Sequence, residues 1–444
     1  MGGSSPRTVY TQSTYLRQQN VGLTFVTFSC QDTMINTISP SSLLITLSLA
    51  SSVPPSCNAF LFNPTGSMGR PPSFVGFSAT NKLHMSSVVV PQPTTVDLIP
   101  GIAAVDALNP QLEPLLSDLR EEPFFRLYSV DMLGSCEYMP QELFECYSAS
   151  CEIYAVDEEV VPQDVRNTDA NEYDFDLDGW ARWDMPIEDY YDIRQFPEEY
   201  TAYDGSVIWR FIHDRISFNV DETHETIDVD SWQEDFNKAV SGLHSMISAQ
   251  VVRGIVEKKN NGETLEGAWT DPVAEFQRRL SPTGENKVAL ENLYFGYMLL
   301  LSAVSAARER LLRDCDAGKI DSHAAEKLKK VLAFPLLDDP NIGVASHKLR
   351  DHAVKDSDSR SALWEARMRT RDLFRIMNCV QCNKCRLHGK ISTMGLSTAF
   401  QVLLGRSGDG GDPTRVHRVE LAALMTTLSK FSTAINFCTK MMKK

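Results

Sequence analysis

Acidic residues are missing from one long stretch of this 444-residue chain. Between Asp32 and Asp97 there is no Asp or Glu, although the whole chain carries 58. No Asn-x-Ser/Thr acceptor occurs anywhere, so N-glycosylation has no target in this sequence. No apolar run reaches the ~18–20 residues a membrane-crossing helix requires, which argues against a span. No Gly-x-Gly-x-x-Gly links a strand pattern to a helix pattern, so a Rossmann nucleotide site has no support. Bases are in deficit: 43 Lys and Arg against 58 acids give a formal net charge of −15. That balance excludes a general nucleic-acid binder, which needs clustered Lys and Arg to neutralise phosphates. An apolar fraction of 43% is ordinary for a globular protein with a buried core and excludes bulk disorder.

The acid-free stretch reads as a leader rather than as fold. A short apolar core, Leu43 to Ala50, precedes small residues at Cys57 and Ala59, then Phe60. That is a signal-peptide pattern over about 34–59, with translation starting at Met34, although no Lys or Arg marks its n-region. Residues 60–96 are Ser-rich and acid-poor, and with the first segment resemble the bipartite leaders of algae with complex plastids. The plainer alternative is an N-terminal extension. Fold reasoning therefore begins at Asp97, with one domain expected over 97–444.

From Asp97 to about Asp230 the chain is punctuated by Pro and reads as a loop-rich cap. The carboxylate- and aromatic-rich part, Asp157 to Asp204, reads as a solvated belt. After Asp230 the pattern becomes helical. Phe236, Val240, Leu243 and Ile247 recur at helical spacing, as do Leu290, Leu293, Tyr297, Leu301, Val304 and Ala307. Leu421, Leu424, Leu428, Phe431 and Ile435 form a third stripe behind an expected N-cap at Thr414, and Lys348 to Asn378 reads as another helix. Each stripe needs a partner to bury its apolar face. The expected fold class is mainly α: one bundle-like helical domain with an irregular N-terminal cap.

Ten cysteines carry the chemistry. Cys379, Cys382 and Cys385 form a C-x-x-C-x-x-C run after a helical stretch. A ferredoxin-type cluster needs a fourth Cys where Gly389 stands, so that reading fails. A zinc site could recruit His388 as fourth ligand, crowding all its ligands near one turn. A redox disulfide needs only two thiols with close Cβ atoms, which C-x-x-C at a helix start supplies. Lys384, Arg386 and Lys390 favour the reactive thiolate. The redox reading leads, and a zinc-stabilised non-catalytic scaffold is the alternative. Cys146 and Cys151 form a C-x4-C pair that suits either exchange with another protein or a small structural disulfide. Two separated redox-capable pairs suggest a relay. Cys315 and Cys438 have no assignable partner; Cys438 extends the last stripe and reads as a core thiol.

At this point the sequence resembles a known family, the endoplasmic reticulum oxidoreductins. The strongest segment is Cys379 to Leu404, with C-x-x-C-x-x-C-R-L-x-G-K followed by G-L-x-T-A. Weaker patches lie upstream: Glu199 to Tyr203 with Trp209-Arg210, Ser241-Gly242-Leu243-His244, Glu275 to Arg279, Asn292 to Phe295, and Phe124 to Cys151. The match covers about Pro123 to Cys438. The resemblance implies a four-helix core holding FAD. It implies a thiol oxidase that makes disulfides de novo, oxidising protein disulfide isomerase and passing electrons to O2, with hydrogen peroxide released. It implies a lumenal monomer with peripheral membrane association; the leader leaves a plastid or periplastid compartment as the alternative.

The same resemblance assigns roles by residue. Cys382 and Cys385 match the inner pair beside the flavin, with Cys385 facing the ring and Cys382 as interchange thiol. Cys146 and Cys151 match the outer shuttle pair. Cys136 and Cys379 match a long-range structural disulfide. Thr201, Trp209, Ser241, His244 and Arg279 match FAD-contacting positions. Without the family, His244 reads as a core histidine and Arg279 as a surface charge. Departures bear on the cofactor: Glu199, Ile212 and Ala289 replace two family arginines and an aromatic residue, and His388 stands where the family has Trp. A member that has lost FAD is therefore a further reading, with Lys287 close enough to compensate for Ala289.

Overall fold

A computed structural model describes residues 101–138, 151–172, 189–195, 203, 205–218, 231–262, 271–281, 287–343, 359–405 and 415–443. The leader reading lies outside the described residues, as do Cys146, Glu199 and Thr201. Eleven helices and two strands follow in order among the described residues. They are α1 (Ile102–Arg120), α2 (Pro123–Arg126), β1 (Leu127–Ser129), α3 (Gln163–Glu172), β2 (Tyr190–Asp192), α4 (Ser206–Ile216), α5 (Ser231–Asn260), α6 (Pro272–Leu280), α7 (Lys287–Asp316), α8 (Ser322–Leu332), α9 (Ser359–Ile376), α10 (Asn383–Leu404) and α11 (Arg418–Met442). The chain is mainly helical, as its sequence predicts.

The centre is a bundle of α5, α7, α10 and α11. Helix α5 packs along α7 and α10 along α11, while α7 touches α10 and α11, and α11 touches α5. Each predicted stripe lies inside one of these helices, and all of its residues are buried. Helices α10 and α11 are buried nearly all round, which explains their abundance of small residues. Their buried hydroxyls are satisfied within the helix: Thr398 donates to the Met394 carbonyl at 2.9 Å and Thr427 to that of Ala423 at 2.7 Å. Close approach is set by glycine. A Cβ on Gly395 would overlap Thr427 and the Ala423 carbonyl of α11, and one on Gly242 would overlap the Asn292 carbonyl of α7. Helix α7 is long and apolar enough to cross a membrane, with mean hydropathy 1.3 over its best window, but 72% of that window is buried in protein. Its apolarity is therefore accounted for by the core.

Three expectations need correction. Helix α11 begins at Arg418 rather than after Thr414, because His417 is the N-cap and Glu420 closes a capping box by accepting from the His417 N–H at 2.9 Å. The cap is more ordered than its prolines suggest: α1 runs through Pro110 and Pro114. Each Pro removes one helical N–H, but Val105, Leu112, Leu116 and Leu119 still bury a continuous stripe against the core. Asn109 interrupts that stripe and is saturated. Its amide donates to the Ser432 carbonyl and to Asn436 Oδ1, both at 2.8 Å, and its oxygen accepts from the Ser432 and Tyr297 hydroxyls.

The aromatic, carboxylate-rich segment is not a solvated belt throughout. Tyr190 and Tyr191 are buried in β2, which pairs antiparallel with β1. Asp169 on α3 is buried and paired with Arg418, whose guanidinium meets both carboxylate oxygens at 2.6 and 2.7 Å. Arg418 also donates to the carbonyls of Phe124 and Leu127, and the Tyr190 hydroxyl donates to Asp169. This network ties α2, α3, β1 and β2 to the first turn of α11.

Candidate active site

The cysteine run lies at a helix junction. Helix α9 tightens into a 3-10 turn over Met377–Cys379, Val380 is extended, and Cys382 caps α10 in the extended region, placing Cys385 in its first turn. A helix start offers backbone N–H groups without helical partners, and its positive end favours an anion. Both thiols are buried in the core. The Cys382 thiol is pushed down to about 7. The Cys385 side-chain hydrogen bond is the largest influence, helped by the N–H groups of Cys385 and Lys384 and by the Lys384 charge, against burial. Cys382 is therefore substantially thiolate near neutral pH.

Cys136 and Cys379 are joined in a disulfide spanning 243 residues. It fixes the segment after β1 to the run itself. Two cations reinforce that attachment: Arg386 donates to the Met132 carbonyl at 2.8 Å and to Val380, and Lys390 donates to the Asp131 carbonyl at 2.5 Å while lying over the Phe374 ring. Of the three cations read as favouring the thiolate, Lys384 and Arg386 interact with the Cys382 charge, and Arg386 and Lys390 also clamp the cap. Cys151 is disulfide-bonded. Its carbonyl accepts from the Lys384 N–H at 3.3 Å, which sets this cysteine's backbone against the first turn of α10.

His388 is buried one turn beyond Cys385. Its Nδ1 meets the Tyr203 hydroxyl at 2.5 Å and its Nε2 meets Gln250 Oε1 at 3.1 Å. The zinc reading thus loses two of its four ligands, since Cys379 is in a disulfide and both His388 nitrogens are engaged.

The described positions matched to FAD, Trp209, Ser241, His244 and Arg279, fall on α4, α5 and α6. Trp209 stacks on His244, ring centroids 4.3 Å apart and planes 10° from parallel, and His213 completes a three-ring cluster. Burial, with His213 second, pushes His244 down to about 3, so it is neutral at physiological pH and acts as a ring and hydrogen-bonding group, not as a cation. Ser241 lies one turn before His244. Arg279 is on α6, which packs against α5, with its guanidinium on Glu275. Lys287 pairs with Glu291 at 3.5 Å. Ile212 is buried in the core.

These residues suit a flavin. Trp209 Nε1 and Gln250 Nε2 are buried N–H donors without acceptors among the described residues, and such groups are costly unless something accepts from them. An isoalloxazine and its adenosine tail present carbonyl and ring-nitrogen acceptors. Arg279 supplies a cation for the pyrophosphate. Tyr203, His213 and Gln250 were not singled out by the sequence. The one available signal was local: Tyr203 closes the quoted Glu199–Tyr203 segment, and His213 follows Trp209 by one turn.

The comparisons with known proteins give the family. The family model for Endoplasmic Reticulum Oxidoreductin 1 (ERO1) matches residues 111–438. An Ero1-like protein of Drosophila melanogaster is 26% identical over 422 residues, covering 74% of this chain and 84% of that protein. Human ERO1-like protein alpha is 25% identical over 409 residues, covering 74% and 85%. A solved structure of Ero1p, described as a source of disulfide bonds for oxidative protein folding in the cell, superimposes with TM-score 0.52 at 20% identity, covering 77% of this chain and 98% of that one. A double-alanine mutant of S. cerevisiae Ero1p gives TM-score 0.53 at 20% identity over 77% of this chain and 97% of that one. On the family match, the chain belongs to the endoplasmic reticulum oxidoreductin 1 family and is an oxidoreductase acting on thiols.

Proposed function

We propose that this chain is a thiol oxidase that generates disulfides de novo, with FAD as its cofactor and reduced protein disulfide isomerase as its partner. One observation carries the reading: Cys382 and Cys385 lie together at the start of α10, and the backbone of Cys151 rests against that same turn. Cys151, read as one half of the outer pair with Cys146, has its backbone beside the inner pair's own helix turn.

A thiolate of the isomerase attacks the Cys146–Cys151 disulfide, and its second thiol resolves the mixed disulfide, leaving the isomerase oxidised. One of the freed outer thiols then attacks Cys382 in the Cys382–Cys385 disulfide, and Cys385 leaves. The helix start and Lys384 stabilise the sulfur anions that form in this exchange. Bound FAD would supply a two-electron acceptor for the inner dithiol and pass the electrons to O2, giving hydrogen peroxide. Thr201, Trp209, Ser241, His244 and Arg279 would hold it: Trp209 and His244 offer a stacked platform, and Arg279 a charge for the pyrophosphate. The Cys136–Cys379 disulfide keeps the segment after β1 fixed on the inner pair while the outer pair moves.

Family membership and the signal-peptide pattern support the endoplasmic reticulum lumen as the compartment, with a plastid-derived compartment reached through the secretory route as the alternative. A monomer with peripheral lumenal membrane association is the working assembly. The test is the visible absorption spectrum of the purified chain, with reduced disulfide isomerase added in air-free buffer. The expected result is an oxidised-flavin spectrum that bleaches and then recovers on admitting O2. A colourless protein that takes up no added FAD would overturn the reading.

A further inference from the structure

The inner pair has a polar neighbour that the thiol relay does not use. Cys385 and His388 are three residues apart on α10 and so share one face. Tyr203, from the segment before α4, lies against the same turns: a Cβ on Gly389 would stand 3.7 Å from its ring. Tyr203, His388 and Gln250 are all buried and linked in series, Tyr203 Oη to His388 Nδ1 and His388 Nε2 to Gln250 Oε1. The order of donors follows from the partners. Gln250 Oε1 can only accept, so Nε2 of His388 carries the hydrogen. Nδ1 then offers its lone pair, to which the Tyr203 hydroxyl donates, and the Tyr203 oxygen keeps acceptor capacity of its own.

We propose that Tyr203 and His388 form the proton path of Cys385, with Gln250 fixing the tautomer of His388. This rests on the reading of Cys382 and Cys385 as the exchanging inner pair. When that pair is oxidised by a disulfide R–S–S–R, the Cys382 thiolate attacks one sulfur, a Cys382–S–S–R bond forms and RS⁻ leaves. The Cys385 thiol must then lose its proton before it can attack Cys382. Its proton passes to the Tyr203 oxygen as the Tyr203 proton passes to His388 Nδ1. The Cys385 thiolate forms the Cys382–Cys385 bond, the Cys382–S–S–R bond breaks, and a second RS⁻ leaves and takes up a proton. In the opposite direction the same path protonates Cys385 as it leaves. Tyr203 is well suited to pass a proton without storing a charge: burial, and then the nearby Cys385, hold its hydroxyl far above the usual range. In this proposal Tyr203 is the group that takes the thiol proton, and His388 and Gln250 are positioning residues acting through it.

The experiment uses the full chain, reduced and then oxidised by hydroxyethyl disulfide at one fixed pH, with the species at Cys382 followed by mass spectrometry. In the unsubstituted chain the mixed disulfide at Cys382 should resolve without accumulating. In Tyr203→Phe and His388→Asn it should accumulate, with resolution slowed at least about tenfold, while its formation rate is unchanged. The double variant should be no slower than either single one. Resolution within twofold of the unsubstituted chain in folded variants would overturn the inference. No Cys382–Cys385 disulfide in the unsubstituted chain would instead sink the relay reading beneath it. A measurement without substitution stands beside this: nitrogen NMR of His388 should show hydrogen on Nε2 and none on Nδ1. The opposite tautomer would turn the Tyr203–His388 hydrogen bond around and exclude the path.

Discussion

In the bundle, α5, α7, α10 and α11 meet through apolar and small side chains, with glycines at the closest crossings. The cap, from α1 to α4, buries apolar side chains too, and directional contacts add to its attachment. Among them are the Arg418–Asp169 pair, the Asn109 network, the Arg386 and Lys390 contacts to carbonyls, and the Cys136–Cys379 disulfide. The contrast matters for function, because the inner thiols belong to the bundle and Cys151 to the cap. A relay between them needs a fixed acceptor and a donor held close by a small number of bonds. Burial of the bundle's stripes is spread over many side chains, so no single exposed change should undo it. The cap's buried polar attachments are directional, and removing one side of such a pair leaves the other without that partner.

The comparison can be broken at the thiols, where the largest effect is expected. Cys382→Ala or Cys385→Ala should abolish turnover with every thiol substrate, measured as oxygen consumption. Next comes the clamp. Cys136→Ser opens a loop of 243 residues and should cost about 5–6 kcal/mol by the chain-entropy estimate. Hydrogen exchange should report loss of protection in the cap before the bundle. Asp169→Asn strands the Arg418 guanidinium in the interior and should cost about 3–5 kcal/mol, read from denaturant midpoints. The smallest test compares two buried cysteines by pH. Cys438, inside α11, is pushed up by burial and should not exchange, whereas Cys382 is pushed down to about 7 from its usual value near 9. Exchange at Cys382 with a small disulfide should fall about tenfold for each pH unit below 7 and flatten above it. A lowered folded value also means that the thiolate's contribution to stability is present above the unfolded value and is lost as pH falls through about 7.

The same contrast explains what the sequence disclosed. The stripes of α5, α7 and α11 are periodic, so three of the bundle's four helices could be read from spacing alone. The cysteine run, with Lys384 beside it, announced thiolate chemistry before any coordinates. The cap was less legible because its contacts join distant residues. Nothing local tells that Asp169 meets Arg418 or that Asn109 meets Asn436. Prolines at 110 and 114 suggested loop where burial of Val105, Leu112, Leu116 and Leu119 sustains a helix. At the site, Gln250 gave no signal and Tyr203 only its place in the Glu199–Tyr203 segment, because their meaning depends on both reaching His388. His388 itself drew notice as a zinc candidate and as a departure from the family's Trp, and its partners show it doing something else.

The relay from outer to inner pair is the central claim, and one pair of assays tests it most directly. The Cys146→Ala variant is compared with the unsubstituted chain, first with reduced disulfide isomerase and then with a small penetrating dithiol, following oxygen consumption. The predicted result is loss of turnover with the isomerase and retention with the small dithiol, which reaches Cys382 unaided. Loss of both activities in a folded variant would contradict the order of the relay.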